Sequence, residues 1–96
     1  MFFSQSDEVK SEITQTIIKQ ATVIDVRTHE EVQTGQFEGA IHIPLDEIQS
    51  QLTRIKSLTT PLVLYCRSGN RSEQAVNLLQ EQGLTQVYNG INIETL

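Results

Sequence analysis

The sequence predicts an α/β domain, a mostly parallel central sheet with helices on both faces. Three observations predict it. Short β-branched runs alternate with segments of helical periodicity, the order that builds parallel sheets. The run Pro61-Leu62-Val63-Leu64-Tyr65 is apolar almost throughout, as suits a central strand covered on both faces. A glycine-containing loop follows that run and leads into a helix, which puts it beyond the carboxyl ends of the strands, where such sheets bind ligands.

The elements follow in order. Ser6 suits an N-cap ahead of Asp7 and Glu8, and Val9, Ile13 and Ile17 recur at a spacing of four, so a first helix is expected there. Thr22-Val23-Ile24-Asp25-Val26 reads as a buried strand. Thr28 to Thr34 holds a short helical turn that stops near Gly35, and Ala40-Ile41-His42-Ile43 is a second strand ended by Pro44. Asp46 is expected to cap a helix carrying Ile48, Leu52 and Ile55 on one face, with Gln49 as its capping-box partner. After the central strand, Ser72 to Gln82 reads as a helix with Ala75, Val76 and Leu79 inward. Gly83 suits the left-handed position that ends it, with Leu84 packing back on Leu79. A last strand, Gln86-Val87-Tyr88, precedes Asn89-Gly90.

The 96 residues support one domain, 1–96, with one modest core. An apolar content of 38% fits a globular chain. No apolar run approaches the roughly 20 residues that span a membrane. The opening residues lack the basic and apolar regions of a signal peptide, so a cytoplasmic location and a monomer are expected. A net charge of −5 argues against binding nucleic acid or an anionic membrane. The single cysteine excludes an intramolecular disulfide and a Cys-based zinc site, and neither metal nor cofactor is expected.

Charge distribution is more informative than its sum. Of four arginines, Arg67 and Arg71 lie within the six residues Cys66-Arg67-Ser68-Gly69-Asn70-Arg71, which contain no acid. That local positive site in an acidic chain suits a small anionic substrate. A free cysteine has a pKa of about 8.5 and only about 3% is thiolate at neutrality, so a reactive Cys66 needs help. The following helix points free N–H groups and its positive dipole end at the loop. Gly69 lets the loop curl so that successive N–H groups converge. Two guanidinium groups add full charges. Together they favour a thiolate near neutrality. The same features would bind a sulfur donor such as thiosulfate, whose sulfonyl oxygens match an arginine fork. Taken alone, a lone cysteine is more often an inert core thiol.

Three segments carry a family resemblance: Asp25-Val26-Arg27, Gly39-Ala40-Ile41-His42-Ile43-Pro44-Leu45, and Tyr65-Cys66-Arg67-Ser68-Gly69-Asn70-Arg71-Ser72. In order and spacing the chain resembles the rhodanese domains, from about Val23 to Asn89. The resemblance implies a rhodanese-like three-layer domain and the single-domain thiosulfate sulfurtransferase type. It makes Cys66 the catalytic residue that takes up a sulfane sulfur. It gives Arg67, Ser68, Gly69, Asn70 and Arg71 to substrate binding, with Arg71 alternatively bracing the loop. Asp25, Arg27 and Ser72 are then supporting residues. Two departures stand out. The family often has Gly-His-Ile-Pro-Gly-Ala where this chain has Gly35-Gln36-Phe37-Glu38-Gly39-Ala40. It also usually continues through a glycine-rich turn into a final helix, whereas Asn89-Gly90-Ile91-Asn92-Ile93 is followed closely by Leu96.

The expected partners are a small anionic sulfur donor and an acceptor: cyanide, a thiol or a thioredoxin-like protein. Without a second cysteine, a persulfide on Cys66 has no internal resolving thiol, so the acceptor must be external. A persulfide carrier shares the first half-reaction. A cysteine phosphatase is the rival enzyme, but such loops typically hold five residues between cysteine and arginine. Here there are four, Arg67 to Asn70, and the tighter loop favours sulfur. A non-catalytic interaction module would have lost the cysteine. His29 and His42 are the available bases, and neither is assigned to Cys66 without geometry.

Overall fold

A computed structural model of the chain describes residues 15–96. The expected helix start at Ser6, with Val9 and Ile13, lies outside them. Within them, α1 spans Gln15–Gln20 and feeds β1, Thr22–Asp25. A four-residue helix α2, His29–Val32, leads to the short β2, Ile41–His42. A 3-10 turn at Leu45–Glu47 and helix α3, Leu52–Lys56, return the chain to β3, Leu62–Tyr65. Helix α4, Asn70–Glu81, crosses to β4, Val87–Ile91, and a second 3-10 turn follows at Ile93–Thr95.

The four strands form one sheet in the order β2-β1-β3-β4, and every pairing is parallel. This is the predicted fold class. Every residue of β3 is buried, as its apolar run requires. Strand alternation divides the sheet into two faces. Ile24, Val26, Leu62 and Leu64 join one cluster with Ile55 of α3 and Ala75, Val76 and Leu79 of α4. The alternate residues Val23, Asp25, Val63 and Tyr65 are also buried and face the other way. Burying each such Leu or Ile contributes about 1.5–3 kcal/mol.

Helix α4 ends as its sequence predicts. Gly83 has φ +96°, the Gly83 N–H donates to the Gln80 carbonyl at 3.0 Å, and the Leu84 N–H donates to that of Leu79 at 3.1 Å. This is the Schellman pair of bonds. Two elements differ from expectation. Asp46 does not cap a helix; it lies inside the 3-10 turn and no side chain caps that turn. The Leu45 N–H is tied to the Val26 carbonyl at 3.1 Å, so the chain leaves β1's end already turned. Ile48 and Ile55 still reach the core and Leu52 packs against it. The second difference is that β4 runs on through Asn89-Gly90-Ile91. The pairing jumps from Leu64↔Asn89 to Tyr65↔Ile91, leaving Gly90 as the extra residue of a bulge. A Cβ at Gly90 would sit 2.8 Å from Val63 Cγ1 and 2.9 Å from Leu96 Cδ2, so only glycine fits there.

Candidate active site

Cys66 follows the last residue of β3, and its N–H donates to the Ile91 carbonyl at 3.0 Å. The loop then enters α4 through Gly69, which has φ +96° and occupies the N-cap position. A Cβ at Gly69 would meet Ile91 Cγ2 at 3.2 Å, so both the left-handed backbone and the close approach call for glycine. Curled in this way, the loop aims its N–H groups at the sulfur itself. The Gly69 N–H donates to Cys66 Sγ at 3.0 Å and the Ser72 N–H at 3.5 Å. The Ser72 hydroxyl lies 3.4 Å from Sγ. Burial by itself would push the Cys66 thiol up. The hydroxyl and N–H of Ser72 and the N–H groups of Gly69 and Ser68 outweigh it and hold the thiol below its ordinary range. Cys66 is 2% exposed.

The two arginines of the loop have different fates. Both terminal nitrogens of Arg71 pair with Glu31 of α2, at 2.7 and 2.9 Å, in a fork. Glu31 also closes the capping box of α2, accepting from the Thr28 N–H at 3.0 Å while Thr28 Oγ1 accepts from its own N–H. Hydrogen bonds from Arg71, then from Thr28, pull the Glu31 carboxyl down to about 2. Arg67 is exposed and lines a cleft of about 480 Å³ with Arg27, Glu30, Glu31 and Thr34. Ser68 and Asn70 are exposed on the same loop. A second hollow, of about 470 Å³ and including Lys56, Thr60 and Gln86, lies at the amino ends of β3 and β4, the end of the sheet away from Cys66.

Behind the loop lies a buried polar cluster. Asp25 is fully buried and accepts from the Arg27 N–H at 2.9 Å, from Arg27 Nη2 at 2.7 Å and from the Tyr65 hydroxyl at 2.7 Å. Burial would raise the Asp25 carboxyl, but Arg27, with help from Tyr65, holds it below the usual range. Tyr65 is pushed up to about 12, first by burial and then by Asp25, so its hydroxyl keeps its proton. That hydroxyl accepts from the Phe37 N–H at 2.9 Å, and Arg27 Nη2 also donates to the Gly35 carbonyl at 2.6 Å. Asp25 and Arg27 thus pin the loop between α2 and β2. His42 Nε2 is bonded to the Arg27 carbonyl at 2.7 Å, and His29 packs edge-on against His42 with ring centroids 4.8 Å apart. His42 is thus turned to the segment after β1, and His29 to His42 and, at 3.9 Å, to Glu47.

Three contributors were not read from the sequence. Glu31 carried a readable signal, the Thr-x-x-Glu spacing of a capping box, but its pairing with Arg71 spans 40 positions. Tyr65 reads only as strand. Asn89 falls just past the expected end of the last strand at Tyr88. In the structure it shares a face of β4 with Val87, the face packed on α4. Its Oδ1 accepts from the Ser72 hydroxyl at 2.6 Å and the Ile91 N–H at 2.9 Å. Its Nδ2 donates to the Gly69 carbonyl at 3.0 Å and to Glu73 at 3.1 Å.

A parallel α/β sheet with a thiol cradled by N–H groups at a strand-to-helix junction defines a class of cysteine-loop domains. The rhodanese-like domain family matches residues 6–90, and the chain belongs to that family. It is 39% identical over 67 residues to the thiosulfate sulfurtransferase PspE of Escherichia coli (strain K12), covering 69% of this chain and 64% of that one. It is 35% identical over 71 residues to the uncharacterized protein YqhL of Bacillus subtilis (strain 168), covering 74% and 56%. The chain therefore spans less than two thirds of the length of both curated relatives. Among solved structures, a rhodanese with anions from E. coli superposes with a TM-score of 0.71 at 34% identity, covering 79% of this chain and 91% of that one. Among the described residues no helix is long and apolar enough to cross a membrane.

Proposed function

We propose that this domain transfers a sulfane sulfur from thiosulfate, or a similar anionic donor, to cyanide or a thiol acceptor through a persulfide on Cys66. The observation that carries the reading is the convergence of the Gly69 and Ser72 N–H groups on a buried sulfur, at 3.0 and 3.5 Å. Donors aimed at one atom stabilise negative charge there without reorganising during reaction. They suit a thiolate, and equally the anionic terminal sulfur of a persulfide.

The chemistry balances in two steps. The Cys66 thiolate attacks the outer sulfur of thiosulfate; the new S–S bond takes its electron pair from Cys66, and the old S–S bond breaks with its pair leaving on sulfite. The acceptor, cyanide or a thiolate, then attacks the terminal sulfur of the persulfide. That S–S bond breaks and returns the pair to Cys66 as thiolate. This is double-displacement covalent catalysis. Arg67, exposed at the edge of its cleft, is the candidate contact for the sulfonyl oxygens. Arg71, held by Glu31, braces the loop. Ser68 and Asn70 stay in the substrate-facing rim, and Asp25 and Arg27 support it from behind. The name of the E. coli relative, a thiosulfate sulfurtransferase, supports the choice of donor.

Intact-protein mass spectrometry tests the proposal. Incubation with thiosulfate should add the mass of one sulfur atom to the wild type and nothing to Cys66→Ser, and cyanide should remove the adduct as thiocyanate. A wild type that gains no adduct would overturn it. Hydrolysis of a phosphate ester without sulfur transfer would favour the phosphatase.

A further inference from the structure

The Asn89 amide cannot be turned round. Its oxygen faces a backbone donor, the Ile91 N–H, and its nitrogen faces a backbone acceptor, the Gly69 carbonyl. The atom that meets Ser72 Oγ at 2.6 Å is therefore an oxygen without a proton. A serine hydroxyl has one proton, so Ser72 gives it to Asn89 and turns lone pairs toward Cys66 Sγ at 3.4 Å. That arrangement suits a thiol, which can donate S–H to Ser72. It does not suit a thiolate, which gains from Ser72 only if the hydroxyl rotates and releases Asn89.

We propose that Asn89 is a positioning residue that acts on Cys66 through the Ser72 proton, holding it away from the sulfur in the thiol state and yielding it when the thiolate forms. The thiol proton itself leaves to solvent; only the hydroxyl reorients. The inference rests on Cys66 being the reactive thiol. Three of the four Asn89 bonds stay in place during the switch, so the loop is held while one proton moves. The other charged or titratable groups around the loop are Arg67 within it, Arg71 and Glu73 on α4, Glu31 on α2, the Asp25–Arg27 pair at the end of β1, and Tyr65 on β3. Of these only Glu73 touches Asn89.

The test follows the ultraviolet absorbance of the thiolate across pH, with the contribution of the two tyrosines subtracted from the separate longer-wavelength band of tyrosinate; the single cysteine makes the remainder its own. Ser72→Ala should raise the titration midpoint by about one pH unit, because the thiolate loses a donor. Asn89→Leu should lower it by a smaller amount, because the hydroxyl is freed for the sulfur. The double variant should match Ser72→Ala alone, since Asn89 acts through that hydroxyl. Asn89→Leu raising the midpoint, or shifting it equally with and without the Ser72 hydroxyl, would overturn the proposal. Should Asn89→Leu fail to fold, Asn89→Asp gives the same discrimination. A carboxylate locks the Ser72 proton and leaves only its lone pairs to the thiol, so adding Ser72→Ala to it should lower the midpoint slightly and should not raise it. A rise as large as in the wild-type background would refute the coupling. Failure of the sulfurtransferase reading shows separately, as a normal titration with no sulfur adduct.

Discussion

Two polar clusters sit side by side at the carboxyl end of the sheet and use their hydrogen bonds in opposite ways. In the Asp25–Arg27–Tyr65 cluster, the carboxylate, the guanidinium and the phenol face one another, and the remaining bonds run to Gly35 and Phe37. In the Cys66 loop, the N–H groups of Gly69 and Ser72 face a sulfur that can gain and lose a partner atom. The first cluster is closed and supports. The second is directed at one exchangeable atom. The difference teaches where substitutions should be felt: in folding for the first, in chemistry for the second.

The comparison is broken most forcefully at Asp25. Asp25→Ala leaves Arg27 buried without its counter-ion and frees the Tyr65 hydroxyl, so unfolding in denaturant should show a loss of about 3–5 kcal/mol. A loss below 1 kcal/mol would mean that the cluster is not structural. Glu31→Gln should cost less, about 1–2 kcal/mol, because the Arg71 fork is only partly buried. Its pH signature is sharper. The Glu31 carboxyl is held at about 2 against an ordinary 4.5, so its contribution is complete above the ordinary value and is lost as pH falls through about 2. Acid titration of stability should be flatter in that window for Glu31→Gln than for the wild type; identical slopes would remove the pair from the account. The smallest stability effect belongs to Arg67→Ala. With an exposed side chain, it should change stability by no more than about 0.5 kcal/mol while raising KM for thiosulfate several-fold. An unchanged KM would remove Arg67 from the substrate site.

Much of this arrangement was legible in the sequence, and for local reasons. The continuous apolar run of β3, the glycine after α4 and the Cys66-to-Arg71 spacing are each set by neighbours a few residues apart. The strand β1 ends one residue earlier than read, and α4 begins two residues earlier, at Asn70. The unread parts depend on distant partners. Arg71 looked available for an anion because the six residues Cys66 to Arg71 contain no acid; the acid that holds it comes from α2. The last strand was expected to end at Tyr88, before Asn89-Gly90. Here the glycine is needed for contact with Val63 and Leu96, and the strand continues past it. Asp46 looked like a cap, but the tie from Leu45 to Val26 had already fixed the chain's direction.

The bulge at Gly90 has a further consequence. By inserting one residue out of phase, β4 offers a carbonyl from Ile91 to Cys66 and a side chain from Asn89 to Ser72. One strand thus reaches the loop from two layers at once. Ile91 accepts a φ of +72°, rare for a β-branched residue, to do so. Length is therefore fixed more tightly here than residue type: removing or adding one position would bring the strand back into step and uncouple both contacts together.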